Sequence, residues 1–294
     1  MSWEFEDLFN NVMTGDGGFL EEPCFIPIGK MAYKRRTTVS GQRIDAEVFP
    51  VFGRRMRGAL RRARTGNGTP DAQKKGNRDR SILKAVQIVE ANFTEKDIAL
   101  ALTYRGEAPD QERVDKDLRN FIDRVKRKRR KMGLPELKYW ASIGGDEMPS
   151  AGYSGKRPHI HVFMSGGINR DELEQMWGKG YANVDRLQPG SDGLAAIATY
   201  FAKQIQDRKE KKNARRWRGS KNLVHPIPRA RPAKITNARV RRITYDFKNQ
   251  AKDIMEKLYP GYVMQDCIVK YSDIVPGVYI RCVLRKRGGG GGWQ

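Results

Sequence analysis

Three histidines occur in the 294 residues, and two of them, His159 and His161, stand two apart in the run Pro158-His159-Ile160-His161-Val162-Phe163-Met164. In an extended strand successive side chains alternate between faces, so both imidazoles project to one side while Ile160, Val162 and Met164 project to the other. Two neutral imidazoles side by side are ligands for a divalent cation. The competing reading is a pair of core histidines, and His-x-His alone does not decide between them. A second pattern lies downstream. Over residues 192–208, at about 100° per residue, Leu194, Ile197, Ala198, Phe201 and Ile205 share one helical face, with Tyr200 and Lys203 beside that stripe. A tyrosine one turn from a lysine offers a phenol nucleophile and a cation to stabilise its phenolate or hold an anionic substrate. A phenol titrates near pH ~10, so such a nucleophile needs activation at neutral pH. Taken singly, the tyrosine reads as amphipathic packing and the lysine as solvated; the ordered pair of patterns carries the argument.

Elements that could position these residues are legible on either side. Residues 98–104 (IALALTY) form a near-continuous apolar run of strand length, as expected for a central strand covered on both faces. Val114, Leu118, Phe121, Ile122 and Val125 fall at helical spacing between Asp110 and Met132, and Gly133 followed by Pro135 ends that helix. Residues 137–143 and 158–164 read as adjacent antiparallel strands joined by a Gly-rich loop. Asn169 can cap a further helix carrying Leu173, Met176 and Trp177, with Glu172 placed for a capping box. Upstream, Ser81 can start a helix with Leu83, Val86 and Val89, and residues 65–77 read as a linker or loop. Downstream, residues 208–242 hold 14 Lys/Arg against Glu210 alone, which marks a boundary. A helix at 246–258 and two short strands, 267–271 and 277–284, are expected beyond it, then a flexible GGGGGWQ tail.

Composition narrows the partner. Lys and Arg number 57 against 34 Asp and Glu, a formal charge of +23, the electrostatic footprint of a protein that neutralises phosphates and releases their counterions. Six arginines crowd positions 54–64, and seven of the eight residues from Arg124 to Lys131 are basic. A charge run is ordinarily a solvated face, but one this one-sided is expected to lie along a phosphate backbone. No apolar run approaches the roughly 18 residues that cross a bilayer, and no basic helix with a bulky apolar face points to a membrane surface. Cys24, Cys267 and Cys282 form neither a disulfide framework nor a zinc cluster, which suits a reducing cytoplasm.

The run 158–164 followed by Tyr200-Phe201-Ala202-Lys203 resembles the HUH and YxxK motifs of rolling-circle replication initiators, the HUH endonucleases of small single-stranded DNA phages, viruses and plasmids. The resemblance extends over roughly residues 80–230. Residues 98–104 with Pro109 resemble the first family motif, 117–131 the family's basic helix, and 177–184 (WGKGYANV) and 220–223 (SKNL) with Pro226 resemble segments common among phage replication-associated proteins. It implies an α+β fold: a central five-stranded antiparallel sheet flanked by helices, RRM/ferredoxin-like, with the HUH strand in the middle. The implied organisation is a basic extension at 1–80, the endonuclease domain at 81–215, a basic region with a small α/β element at 216–287, and the tail at 288–294.

The same resemblance implies that His159 and His161 bind Mg²⁺ or Mn²⁺, that Tyr200 is the nucleophile, and that Lys203 assists. Many relatives carry a Glu directly after the preceding strand, where this chain has Gly144, so Glu147, or failing it Asp146, would supply the third ligand from the loop. Arg124, Arg127, Lys128, Arg130, Lys131, Arg215, Arg216 and Arg218 are the expected DNA contacts. The implied function is nicking of single-stranded DNA at a replication origin, leaving a 5′-phosphotyrosine and a free 3′-OH for later strand joining, in the bacterial cytoplasm if the chain is phage-encoded. Ala196 and Gln204 leave one tyrosine on the helix, so termination would draw on a second subunit, water or another residue. A host helicase and polymerase are further implied partners. Two rival readings remain. A non-catalytic single-strand binder on an RRM-like sheet predicts exposed aromatics where His159 and His161 stand. A metal nuclease using water would leave Tyr200 merely structural.

Overall fold

The computed structural model describes residues 31–52, 70–106, 109–145, 158–204, 217–229, 233–247, 249–271 and 277–287. They fall into two compact units, one of unbroken chain, Ile82–His225, and one assembled from the segments on either side, Met1–Ser81 with Pro226–Gln294. In chain order the elements are β1 (Ala32–Ser40), β2 (Arg43–Val51), α1 (Pro70–Asn92), β3 (Ile98–Leu102), α2 (Gln111–Lys131), β4 (Tyr139–Gly144), β5 (His159–Met164), α3 (Arg170–Trp177), β6 (Ala182–Arg186), α4 (Ala195–Gln204) and β7 (Trp217–Gly219). Then follow β8 (Ala233–Ile235), α5 (Asn237–Tyr245), α6 (Gln250–Leu258), β9 (Tyr262–Tyr271) and β10 (Val278–Lys286). The protein is α+β, with two five-stranded antiparallel sheets where one was expected. No helix among the described residues is long and apolar enough to cross a membrane.

The sheet of the contiguous unit runs β6-β3-β5-β4-β7, which puts the histidine strand in the middle. Period-2 alternation divides its side chains into two cores. Leu100, Leu102, Ala141, Ile143, Ile160 and Val162 face Val114, Leu118, Phe121 and Val125 of α2 and Leu173 and Trp177 of α3. Ala99, Trp140 and Phe163 face the other way, against Ala85, Val89 and Phe93 of the α1 segment and Ala198 and Phe201 of α4. With Trp140 and Phe163 wholly buried, each contributes about 2–3 kcal/mol of apolar burial. Covering on both faces explains why β3 and β5 are apolar at nearly every position.

Local signals set the helix ends. The Asp110 carboxylate accepts from Arg113 N (2.8 Å) and caps α2, whose last turn holds Lys128 to Lys131 where a helix favours cations. The Asn169 side chain accepts from Asp171 N (2.9 Å), capping α3 as expected, but Glu172 reaches Lys128 (2.9 Å) rather than closing a capping box. The helix expected from Ser81 starts at Pro70, inside the stretch read as a linker.

The other unit's sheet runs β8-β1-β2-β10-β9. One face carries Tyr33, Ile44, Ala46, Val48, Ile280, Cys282 and Leu284 beneath Val240 and Ile243 of α5 and Ile254 and Met255 of α6. Opposite lie buried ion pairs, Arg36 with Glu47 (2.7 Å) and Arg43 with Asp45 (2.8 Å). Segments read as separate, 1–80 and 216–287, thus share one sheet, and β7 belongs to the first unit's sheet. The single helix expected at 246–258 is two, α5 and α6, because Asp246 accepts from Asn249 N and restarts the chain. The two terminal strands run longer than expected at both ends. The arginine cluster 54–64 and the tail 288–294 lie outside the described residues.

Candidate active site

The central strand delivers the two imidazoles to one face. His161 stands in register between Ala101 of β3 and Ser142 of β4, and His159 lies opposite Gly144 at the strand's open end. Their ring centroids are 5.0 Å apart at 77°. The His161 ring stacks on Phe201 of α4 (4.1 Å, 21°) and is only 7% exposed. Burial, aided by the neighbouring His159, lowers its pKa to about 4, so it is neutral at physiological pH. Its Nδ1 and Nε2 are both buried without a hydrogen-bond partner. An unmet buried polar atom costs about 1–3 kcal/mol, and coordination to a cation would relieve that cost. A neutral imidazole with an unengaged nitrogen, beside a second imidazole, fits a divalent metal. The expected third ligand, Glu147 or Asp146, lies outside the described residues, and among those described no three metal-binding side chains converge.

Tyr200 reaches the same place from α4. That helix begins at Ala195 rather than Asp192, and buries Ala195, Ala198, Phe201 and Ala202 against the sheet. Ser142 Oγ donates to Phe201 O (3.0 Å) and ties the helix to β4 beside His161. Off the buried stripe, Tyr200 is 56% exposed with its ring 5.8 Å from that of His161, and Lys203 is exposed one turn on. The structure therefore brings His159, His161 and Tyr200 together, with Lys203 on the same helix. Two contributors were not singled out from sequence: Phe201, counted only as core, and Ser142. Alternation along β4 places Ser142 beside His161, but its bond to α4 needs the third dimension.

The other tyrosines considered as nucleophiles stand elsewhere. Tyr104 packs edge-on against Trp177 (5.2 Å) in the α2/α3 core, where burial, then the nearby Asp117 charge, pushes its phenol well above the usual range. Tyr181 is exposed just ahead of β6, and Tyr153 lies outside the described residues.

The basic run occupies the opposite side of the sheet. Because α2 packs on the Leu100/Val162 face, Arg124 to Lys131 are separated from the imidazoles by the sheet itself. Several of these cations hold the fold together. Arg124 donates to Met176 O (2.9 Å), Lys128 pairs with Glu172, and Arg218 of β7 grips Asp115 (2.9 and 3.1 Å). Arg129 is 4% exposed and donates to the carbonyls of Pro135, Ser165 and Gly166. Arg127, Arg130 and Lys131 remain exposed, the first two lining an open depression with Asn120, Asp123 and Lys126. Arg215 and Arg216 lie outside the described residues.

Residues 97–207 match the model of a family of replication-associated proteins, the ORF2 type. That span contains both β5 and α4, and the match is consistent with a rolling-circle replication initiator, which acts on DNA at an origin. No curated protein and no solved structure matches the chain.

Proposed function

We propose that the chain initiates rolling-circle replication as a single-tyrosine HUH endonuclease, nicking single-stranded DNA at the origin. The observation that carries this reading is an exposed phenol whose ring stands 5.8 Å from the inner of two paired imidazoles. A phosphodiester resists attack because its charge repels nucleophiles. A Mg²⁺ or Mn²⁺ ion held by His159 and His161, with Glu147 or Asp146, supplies Lewis-acid polarisation of the phosphate. Neutral His161 offers its lone pair without first losing a proton. The Tyr200 oxygen attacks phosphorus and releases its proton, the P–O3′ bond breaks, and the departing O3′ takes up a proton. The products are a 5′-phosphotyrosine and a free 3′-OH that can prime a polymerase. Lys203, exposed one turn away, stabilises phenolate character or holds the phosphate. The phosphotyrosine conserves the bond energy for strand joining, and with one tyrosine on α4 a second subunit would serve termination.

The test is incubation of the full chain with end-labelled single-stranded DNA and Mn²⁺ or Mg²⁺, followed by denaturing electrophoresis. Protein-linked DNA should appear, map to Tyr200 by mass spectrometry, and vanish in Tyr200→Phe, His159→Ala, His161→Ala and in EDTA. Cleavage without an adduct would assign the reaction to water, and an adduct persisting in Tyr200→Phe would remove the YxxK assignment.

A further inference from the structure

The turn from α3 into β6, Trp177-Gly178-Lys179-Gly180-Tyr181, takes no part in the chemistry above, yet it is clamped to the end of β3. Thr103 N donates to Tyr181 O (2.8 Å), Thr103 Oγ1 to the same carbonyl (3.2 Å), and Arg105 N to Lys179 O (3.0 Å). Trp177 Nε1 donates to Thr103 O (2.7 Å), and Lys179 pairs with Asp117 (3.3 Å). At Gly180 the approach is so close that a Cβ would stand 2.4 Å from Thr103 O and 2.8 Å from Arg105 N. The clamp fixes the Tyr181 backbone, but its ring is left 71% exposed, with the Arg105 guanidinium 5.1 Å from the ring centroid.

Register places this ring relative to the site. Asn183 pairs with Ala101 and Ala101 with His161, so all three share the imidazole face. Tyr181, two residues before Asn183, falls on that face by alternation. It stands two strands from β5, about 10 Å at the usual strand spacing, across the low ground of Ala101.

We infer that Tyr181, backed by Arg105, is a stacking platform for a nucleobase of the strand whose phosphate reaches His159 and Tyr200; this rests on single-stranded DNA being the substrate. A rigid aromatic with one face against a guanidinium and the rest in water is matched to the π-face that every base carries, and tolerates any sequence. At about 3.4 Å per stacked nucleotide, 10 Å places the stacked base within three nucleotides of the scissile phosphate, and nearer in an extended strand.

The test measures binding of a short fluorescein-labelled, mixed-sequence single strand to the full chain by anisotropy, without metal so that no cleavage runs. Tyr181→Ala should weaken binding about 5- to 150-fold, the range of one base–aromatic stack. Tyr181→Phe should restore it, and the same strand built from abasic residues should bind parent and Tyr181→Ala equally. A bromouracil-substituted strand should photocrosslink to the Tyr181 peptide. Unchanged affinity in Tyr181→Ala, or a Phe variant as weak as Ala, overturns the platform. The two readings fail separately: a Tyr181 effect without an adduct at Tyr200 removes nicking and keeps the platform, while an adduct with wild-type binding by Tyr181→Ala removes the platform alone.

Discussion

Arg129 sits inside a run of seven cations yet should behave unlike its neighbours. Its guanidinium donates to Pro135 O (3.0 Å), Ser165 O (3.2 Å) and Gly166 O (2.6 Å), stitching the end of α2 to the loops that follow it and β5. Burial lowers its pKa, opposed by the Asp97 charge, so desolvation discounts what these bonds contribute. Charge-assisted hydrogen bonds contribute about 1.5–3 kcal/mol each, but three on one group are not additive. Net of desolvation, Arg129→Ala should destabilise the unit by about 3–5 kcal/mol, a large part of the roughly 5–15 typical of a domain. Arg129→Lys keeps the charge without the fork and should fall between. Arg127→Ala, at an exposed position, should change stability by less than about 0.5 kcal/mol, while lowering the log–log salt slope of DNA binding by about one. Urea unfolding followed by tryptophan fluorescence reports on this unit, because Trp140 and Trp177 are fully buried in it. If Arg129→Ala unfolds with Arg127→Ala and loses DNA affinity instead, the assignment of Arg129 to the fold is wrong.

In metal-free buffer, His161 should give an acid limb to stability. Above pH 6.5 neither state is protonated there; between 6.5 and about 4 the unfolded chain takes a proton that the folded one refuses, so stability falls with pH by up to about 3 kcal/mol. Urea midpoints across that window should flatten in His161→Gln. Gly180→Ala drives a Cβ into backbone atoms and should cost about 1–3 kcal/mol, whereas Gly133→Ala, at φ 66° in open space, should cost about 1–2 through its backbone alone; chemical denaturation of both compares them. Cys267 should react with iodoacetamide before Cys282, since Cys282 is fully buried and its thiol is pushed up by the Cys267 sulfur and by burial; peptide mapping of a time course reads the order.

Where period and local chemistry decide, the sequence was legible. The apolar runs of β3 and β5, the stripe of α4 and the Asn169 cap are local patterns, and the structure has them. The β1–β2 hairpin escaped notice although Arg43, Asp45 and Glu47 alternate with Ile44, Ala46 and Val48. The charged half of that pattern is tolerated because Glu47 meets Arg36 and Tyr279, and nothing near it in the chain announces the latter. Local charge density likewise could not sort the basic run, since Arg124, Lys128 and Arg129 are engaged by Met176, Glu172 and the Ser165–Gly166 carbonyls, all distant in sequence. Spacing kept Cys267 and Cys282 apart, whereas strand register sets them directly opposite with sulfurs 3.2 Å apart. The position of the basic helix behind the sheet was also invisible, because amphipathicity tells which side of a helix is buried but not which face of a sheet buries it.

Assembling one unit from both ends of the chain has a cost in time. Glu47 and Tyr279, hydrogen-bonded across β2 and β10, are 232 residues apart. At a synthesis rate of about 5–20 residues per second, the β1–β2 ribbon waits on the order of ten to fifty seconds with the β2 edge unclosed, while the intervening unit can fold on its own stretch of chain. An open strand edge is a template for any other strand, including β10 of a neighbouring nascent copy. Closing so long a loop is entropically slow, so this sheet should be the last part of the molecule to form and the first to exchange between chains when many copies are made at once.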